Sequence, residues 1–218
     1  MNIFSKFLSL IYPNRCIFCD KIIKDNIHVC EKCIKEINKF KSRFPYYTKI
    51  GHIKCVSPFI YDKIIKQAIL TFKFKDAKYN AKYLAPYMVF EIRKHYRGIK
   101  FDYAAYIPST QKKKKERGYN QAELLYNEIA PWINVPTNQH LLIKMQKTKD
   151  QKRLYYKERM MNLNEAFKVS GEYDVSGKTI LIIDDVHTTG ATIDAAAKTL
   201  YEAGAKEIYA VTFARVKR

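Results

Sequence analysis

Long apolar runs are missing from this 218-residue sequence. None approaches the roughly 20 consecutive apolar residues that a bilayer-spanning helix needs, so no transmembrane segment is expected. Acidic residues are scarce. The 21 Asp and Glu face 40 Lys and Arg, leaving a formal net charge of +19. A field of that sign favours polyanions: nucleic acid, phosphorylated ligands or an acidic membrane face. A lysine-biased proteome would give the same excess without any function. Internal repeats are absent, which excludes solenoid and propeller arrays. A secretory leader is not evident either, because the opening MNIFSKFLSLIYP is too short and too weakly charged. Within it Ile3, Phe4, Phe7, Leu8 and Ile11 recur at helical spacing. They predict a short helix packed on the rest of the chain, with peripheral membrane contact as the alternative. The expected compartment is the cytoplasm, where structural disulfides are rare.

The apolar fraction is 47 %, enough for a proper core, and the length suits one α/β domain with a small N-terminal appendage. Four of the five cysteines, Cys16, Cys19, Cys30 and Cys33, read C-x2-C-x10-C-x2-C. Each C-x2-C turn aims two thiolates at one point, and two such turns complete a tetrahedron around zinc. The segment between them, residues 20–29, is mostly polar and cannot build a core, so Zn²⁺ would supply its folding energy. A disulfide pair and a redox C-x2-C are the competing readings; the compartment disfavours the first and the doubled motif the second. With four thiolates no coordination position stays open, so the zinc would be structural. Cys55 lies outside the pattern and reads as an ordinary buried cysteine.

Pro45, Gly51 and Pro58 mark residues 41–60 as a linker leading into a strand. Ile64, Ile65, Ala68, Ile69 and Phe72 follow a helical period, and further helices are expected over 81–96 and 120–129. Residues 102–107 read as a strand ending at Pro108, followed by the basic run Lys112, Lys113, Lys114, Lys115 and Arg117. Residues 136–164 are basic and weakly periodic, and predict a mobile loop of the kind used as an active-site lid. Near the C-terminus a buried strand over 179–183, a helix over 191–203 capped by Gly204 and a strand over 208–213 form a βαβ unit, hence a parallel sheet.

The sequence between that strand and helix, DDVHTTGAT, has neither a Walker lysine nor G-x-G-x-x-G. It has instead what a phosphate needs: Thr188, Thr189, Gly190, Ala191 and Thr192 supply convergent N–H groups, hydroxyls and a helix N-terminus without a bulky side chain. Asp184 and Asp185 precede this cradle at the carboxyl end of the strand, where open α/β sheets bind ligands. Paired carboxylates suit two adjacent ribose hydroxyls, with Mg²⁺ nearby on a pyrophosphate; a helix cap or solvated turn is the bland reading.

LIIDDVHTTGAT resembles the phosphoribosyl pyrophosphate signature of type I phosphoribosyltransferases. The chain as a whole resembles the ComF-type competence family, which includes GntX-like proteins. The resemblance extends to the four-cysteine knuckle, FKFKD, Ile107-Pro108, KKERGYNQAELL at 114–125, and Thr148, Gln151, Arg159, Asn162, Ala166 and Phe167. It implies an open, mostly parallel α/β sheet of type I phosphoribosyltransferase fold over 51–218, preceded by a helix and zinc module over 1–50. It also implies that Asp184 and Asp185 bind ribose hydroxyls, that 188–192 hold the 5′-phosphate, and that 107–111, with Ser109 and Thr110, line the pyrophosphate site. Ser109-Thr110-Gln111 departs from the second proline and basic pattern of relatives. His187 sits at the variable position of the signature.

Competence proteins of this type would bind single-stranded DNA and pass it on in the cytoplasm, with DNA-uptake or recombination machinery at the inner membrane as partners. A single-strand site needs a positive track and stacking faces. Phe72-Lys73-Phe74-Lys75, Tyr79, Arg117-Gly118-Tyr119 and Arg153-Leu154-Tyr155-Tyr156-Lys157 interleave the two. Lys73, Lys75, Lys112 to Lys115, Arg117, Lys149 and Arg153 are accordingly the DNA-binding candidates; tyrosines in a core and lysines on a solvated face are the alternative. An active phosphoribosyltransferase and a non-catalytic phosphoribosyl pyrophosphate sensor remain as rival functions. No base-recognition subdomain is evident for the former.

Overall fold

The structure is a computed structural model that describes residues 13–24, 27–48, 50–75, 77–137, 139–145 and 166–217. The predicted N-terminal helix and most of the predicted lid, including Lys149 and Arg153, lie outside the described residues.

The fold grows from one apolar run. Strand β7 (Thr179–His187) has Ile180, Leu181, Ile182 and Ile183 fully buried, the pattern of a strand covered on both faces. It pairs in parallel with β8 (Glu207–Arg215) and with β4 (Tyr103–Tyr106). On the far side of β8 come β2 (Lys54–Val56), parallel, and β1 (Tyr46–Tyr47), antiparallel at the edge. Strand β3 (Phe59–Ile60) pairs with the end of β8. The result is a six-stranded, mostly parallel sheet of order β1-β2-β8-β7-β4 with β3 beside β8.

Six α-helices are described: α1 (Glu31–Ile37), α2 (Lys63–Phe74), α3 (Ala81–His95), α4 (Gln111–Arg117), α5 (Gln121–Ile129) and α6 (Ala191–Glu202). Helices α3 and α5 pack on each other and on the sheet, burying Leu84, Met88 and Ile92 with Leu125, Tyr126 and Ile129. A two-stranded antiparallel hairpin, β5 (Leu142–Lys144) with β6 (Phe167–Val169), lies against α6. Thr199 Oγ1 donates to the Phe167 carbonyl at 3.5 Å across that contact.

The cysteine module shares the main core. Cys16, Ile17 and Phe18 are buried, and the Phe18 ring meets Phe59, Tyr87 and Phe213 at 6.1, 6.0 and 6.5 Å between centroids. His28 of the second knuckle stacks on Tyr83 of α3 at 3.7 Å.

Four differences from the sequence reading have physical causes. The predicted linker over 41–60 contains β1, β2 and β3, because Cys55, Val56 and Phe59 are drawn into the core. The lysine run forms α4, with Thr110 as its N-cap and Gly118 at φ 76° as its C-cap. Strand β7 runs past Ile183 to His187, since β8 supplies partners as far as Arg215. Part of the predicted loop, Leu142–Lys144, is strand because Leu142 buries against the hairpin's other arm.

Candidate anion site and metal centre

The four sulfurs of Cys16, Cys19, Cys30 and Cys33 lie within 4.8 Å of one another. Tetrahedral zinc with bonds of about 2.3 Å sets thiolates about 3.8 Å apart, and Cys19 and Cys30 stand at 3.7 Å. The Cys30 N–H points at Cys16 Sγ from 3.4 Å, a donor suited to a thiolate. All five cysteines are free of disulfides. The donor set thus fits a structural zinc. Backbone contacts shape the first knuckle: Cys16 N–H donates to Lys21 O at 2.9 Å and Asp20 N–H to Cys16 O at 2.8 Å. Cys55 stands apart, its thiol donating to Tyr46 Oη at 3.0 Å.

The second site lies where β7 ends and α6 begins. Gly190 caps α6 at φ 88°, a conformation that favours glycine. A Cβ there would also come within 2.9 Å of His187 Nε2 and 3.4 Å of the Thr48 side chain. The Ala191 N–H meets Thr189 Oγ1 at 3.3 Å. Asp194 fastens the turn from behind, donating its N–H to Gly190 O at 2.8 Å and accepting the Gly51 N–H on Oδ1 at 2.9 Å. The loop thereby presents threonine hydroxyls and a positive helix end, as an anion cradle requires.

Successive strand residues point to opposite faces, and Asp184 and Asp185 meet different neighbours. Asp185 Oδ2 pairs with Lys73 Nζ of α2 at 2.6 Å. Asp184 Oδ1 accepts the Asp185 N–H at 2.8 Å. Burial, reinforced by the Asp185 charge, pushes the Asp184 carboxyl up to about 8; the Asp185 N–H, Lys73 and Lys144 pull the other way. Lys144, at the end of β5, has its pKa lowered by burial and then by Lys113, while Asp184 opposes the change. Lys73 and Lys144 therefore bring positive charge to the aspartate pair from two separate elements.

The turn after β4 is held from within. Ser109 Oγ contacts Asn120 Oδ1 at 3.1 Å, and Asn120 Nδ2 donates to Ile107 O at 3.0 Å. Thr110 Oγ1 accepts the Lys113 N–H at 3.3 Å. Lys112 to Lys115 are exposed on α4, with Lys112 3.9 Å from Glu116. Arg117 donates to Gln121 Oε1 at 3.0 Å and lies 5.0 Å over the exposed Phe74 ring. Lys75 is ion-paired with Asp20 of the zinc knuckle. The structure thus brings together Asp184, Asp185, the 188–192 loop and Lys73; it sets Lys75 against the knuckle and leaves the α4 lysines on the surface. Sequence reasoning missed Thr48 and Asn120 as parts of this surround. Lys144 was expected only as part of the basic stretch over the site, and Thr48 carried no signal at all.

Parallel sheet, strand-end carboxylates and a glycine-capped loop between strand and helix define a type I phosphoribosyltransferase fold, here joined to a four-cysteine zinc module. Residues 125–218 match the family described as phosphoribosyl transferase domain, and residues 7–44 match the double zinc ribbon domain. Competence protein F of Haemophilus influenzae is 27 % identical over 226 aligned positions, covering 92 % of this chain and 96 % of that one. Competence protein ComFC of Bacillus subtilis is 29 % identical over 153 positions, 68 % of this chain and 58 % of that one. DNA utilization protein YhgH of Escherichia coli K12 is 31 % identical over 102 positions, 47 % of this chain and 44 % of that one. The chain thus resembles ComF-type competence proteins, in one case over nearly its full length, and combines a phosphoribosyl transferase domain with an N-terminal zinc ribbon module. No helix among the described residues is long and apolar enough to cross a membrane.

Proposed function

We propose that this protein binds 5-phosphoribosyl 1-pyrophosphate with Mg²⁺ at the end of β7 and holds single-stranded DNA on its basic surface. Its role in that reading is to handle incoming DNA in the cytoplasm during natural transformation. The observation that carries the ligand assignment is the juxtaposition of Asp184 and Asp185 with the Gly190-capped start of α6. Adjacent hydroxyls of a ribose would bond the carboxylates, and a 5′-phosphate would take the N–H groups and hydroxyls of residues 188–192. The turn containing Ser109 and Thr110 would face the pyrophosphate, whose charge Mg²⁺ would offset. Support for the DNA role comes from the +19 charge, the exposed α4 lysines, and relatives whose names refer to competence and DNA utilization. DNA-uptake or recombination machinery at the inner membrane would be the protein partners.

A second reading is phosphoribosyl transfer, favoured by the hairpin that places Lys144 near Asp184. One experiment separates the two. The pure zinc-loaded chain is incubated with Mg²⁺ and phosphoribosyl pyrophosphate, with and without single-stranded DNA, and pyrophosphate release and DNA mobility are followed together. Binding of both ligands without pyrophosphate release supports the first reading. Release that depends on an added acceptor supports the second. Failure to bind phosphoribosyl pyrophosphate contradicts both.

A further inference from the structure

Between the zinc knuckle and the end of α2 lies a cleft of about 330 Å³, lined by Arg15, Asp20, Thr71, Lys75, Ala77 and Tyr79. That volume falls at the lower end of the range for small-ligand pockets. Its walls carry three kinds of chemistry. Two cations share one carboxylate: Lys75 Nζ is ion-paired with Asp20, and Arg15 Nη1 lies 3.9 Å from Asp20 Oδ2 while donating to Asp20 O at 3.0 Å. Among the described lining residues one positive charge is thus in excess. Tyr79 offers a ring that is 56 % exposed. Thr71 is only 4 % exposed, yet its Oγ1 has no hydrogen-bond partner among the described residues. A buried hydroxyl left in that state costs free energy unless a ligand or water satisfies it.

The cleft is separate from the phosphate loop. Thr71 and Lys75 are one helical turn apart and share a face of α2, whereas Lys73 lies about 200° round the axis and pairs with Asp185. We infer that this cleft is a nucleotide pocket, in which a base stacks on Tyr79, its polar edge reaches Thr71, and its phosphate is held by Arg15 and Lys75. A stacking face beside a surplus cation is what a nucleotide needs. The nucleotide arrives either free or as one unit of a single strand; the second source rests on the DNA-binding reading above.

The probes are deoxyadenosine monophosphate and an oligodeoxyadenylate of about ten residues, a length within one single-strand site. Each is titrated into the full zinc-loaded chain and into Tyr79→Ala, Tyr79→Phe and Thr71→Val. Tyr79 is exposed, so its replacement should leave the melting temperature and zinc content intact. Tyr79→Ala should weaken binding about five- to hundredfold, the range of one lost stacking contact. Tyr79→Phe should retain the affinity, and Thr71→Val should lower it. Phosphoribosyl pyrophosphate affinity should be the same in all four proteins. Weakening of both probes identifies a pocket open to free nucleotide. Weakening of the oligomer alone identifies a strand site. If the parent chain binds no oligomer but its mononucleotide affinity depends on Tyr79, the pocket stands and the DNA reading fails. Equal affinities of the parent and Tyr79→Ala for both probes would overturn the pocket.

Discussion

Asp184 is the residue whose chemistry the fold perturbs most consequentially. Its ordinary pKa is 3.8, and burial beside Asp185 pushes it up to about 8. The sign of the stability effect follows. A carboxyl that binds its proton more tightly when folded loses stability as pH rises from about 4, and the loss is complete above about 8. Asp184→Asn should therefore raise the melting temperature by several degrees at pH 8 and little at pH 4.5, read by thermal scans at both pH values. An equal change at both would contradict the burial argument. Ligand binding inherits the same proton. A ribose hydroxyl needs the ionised carboxylate as acceptor, so phosphoribosyl pyrophosphate affinity should climb with pH and level off above about 8, by at most about tenfold per unit. Calorimetry in two buffers of different ionisation enthalpy should detect net proton release near pH 7, and Asp184→Asn should abolish it. At Gly190 both the φ of 88° and the 2.9 Å approach to His187 Nε2 oppose any side chain. Gly190→Ala should distort the cradle and lower ligand affinity more than tenfold, measured by the same titration on folded protein.

At the scale of elements, α2 holds two parts of the molecule at once. Lys73 reaches Asp185 in β7 and Lys75 reaches Asp20 in the zinc knuckle. Lys73 also lowers the Asp184 pKa. Lys73→Ala should thus move the pH at which ligand affinity levels off to a higher value, a shift that a purely structural lysine would not cause. The C-terminal βαβ unit was legible in the sequence, because Ile180 to Ile183 form a continuous buried run and Gly190 and Gly204 bracket the helix. The aspartates, the threonine loop and the four cysteines were legible for the same reason: each is a local pattern whose spacing carries its chemistry. The pairings of Lys73 with Asp185 and of Lys144 with its neighbours were not, since they join distant segments and leave no periodic trace. The short strands β1, β2 and β3 escaped notice because two or three residues are too few to show alternation. The helical state of α4 was hidden by its lysines, whose mutual repulsion argues against a helix until the Thr110 and Gly118 caps are seen.

Across the whole molecule, the cysteine knuckle and the sheet share one packed core. Zinc holds the knuckle whose Phe18 packs on Phe59, Tyr87 and Phe213. Metal analysis of protein purified without added zinc should give about one zinc per chain, and Cys16→Ser or Cys30→Ser should lower the melting temperature of the main core as well as undo the knuckle. Single-strand affinity should fall with salt by roughly 0.7 in log K per log unit of salt for each phosphate neutralised, and replacing Lys112 to Lys115 by Gln should reduce that slope. The most direct test of the central claim is calorimetric titration of Mg²⁺ and phosphoribosyl pyrophosphate into the parent chain and into the double variant Asp184→Ala, Asp185→Ala. The account predicts saturable binding near one ligand per chain in the parent, and at least hundredfold weaker binding in a double variant that stays folded and keeps its zinc. Equal affinity in a folded double variant would contradict it.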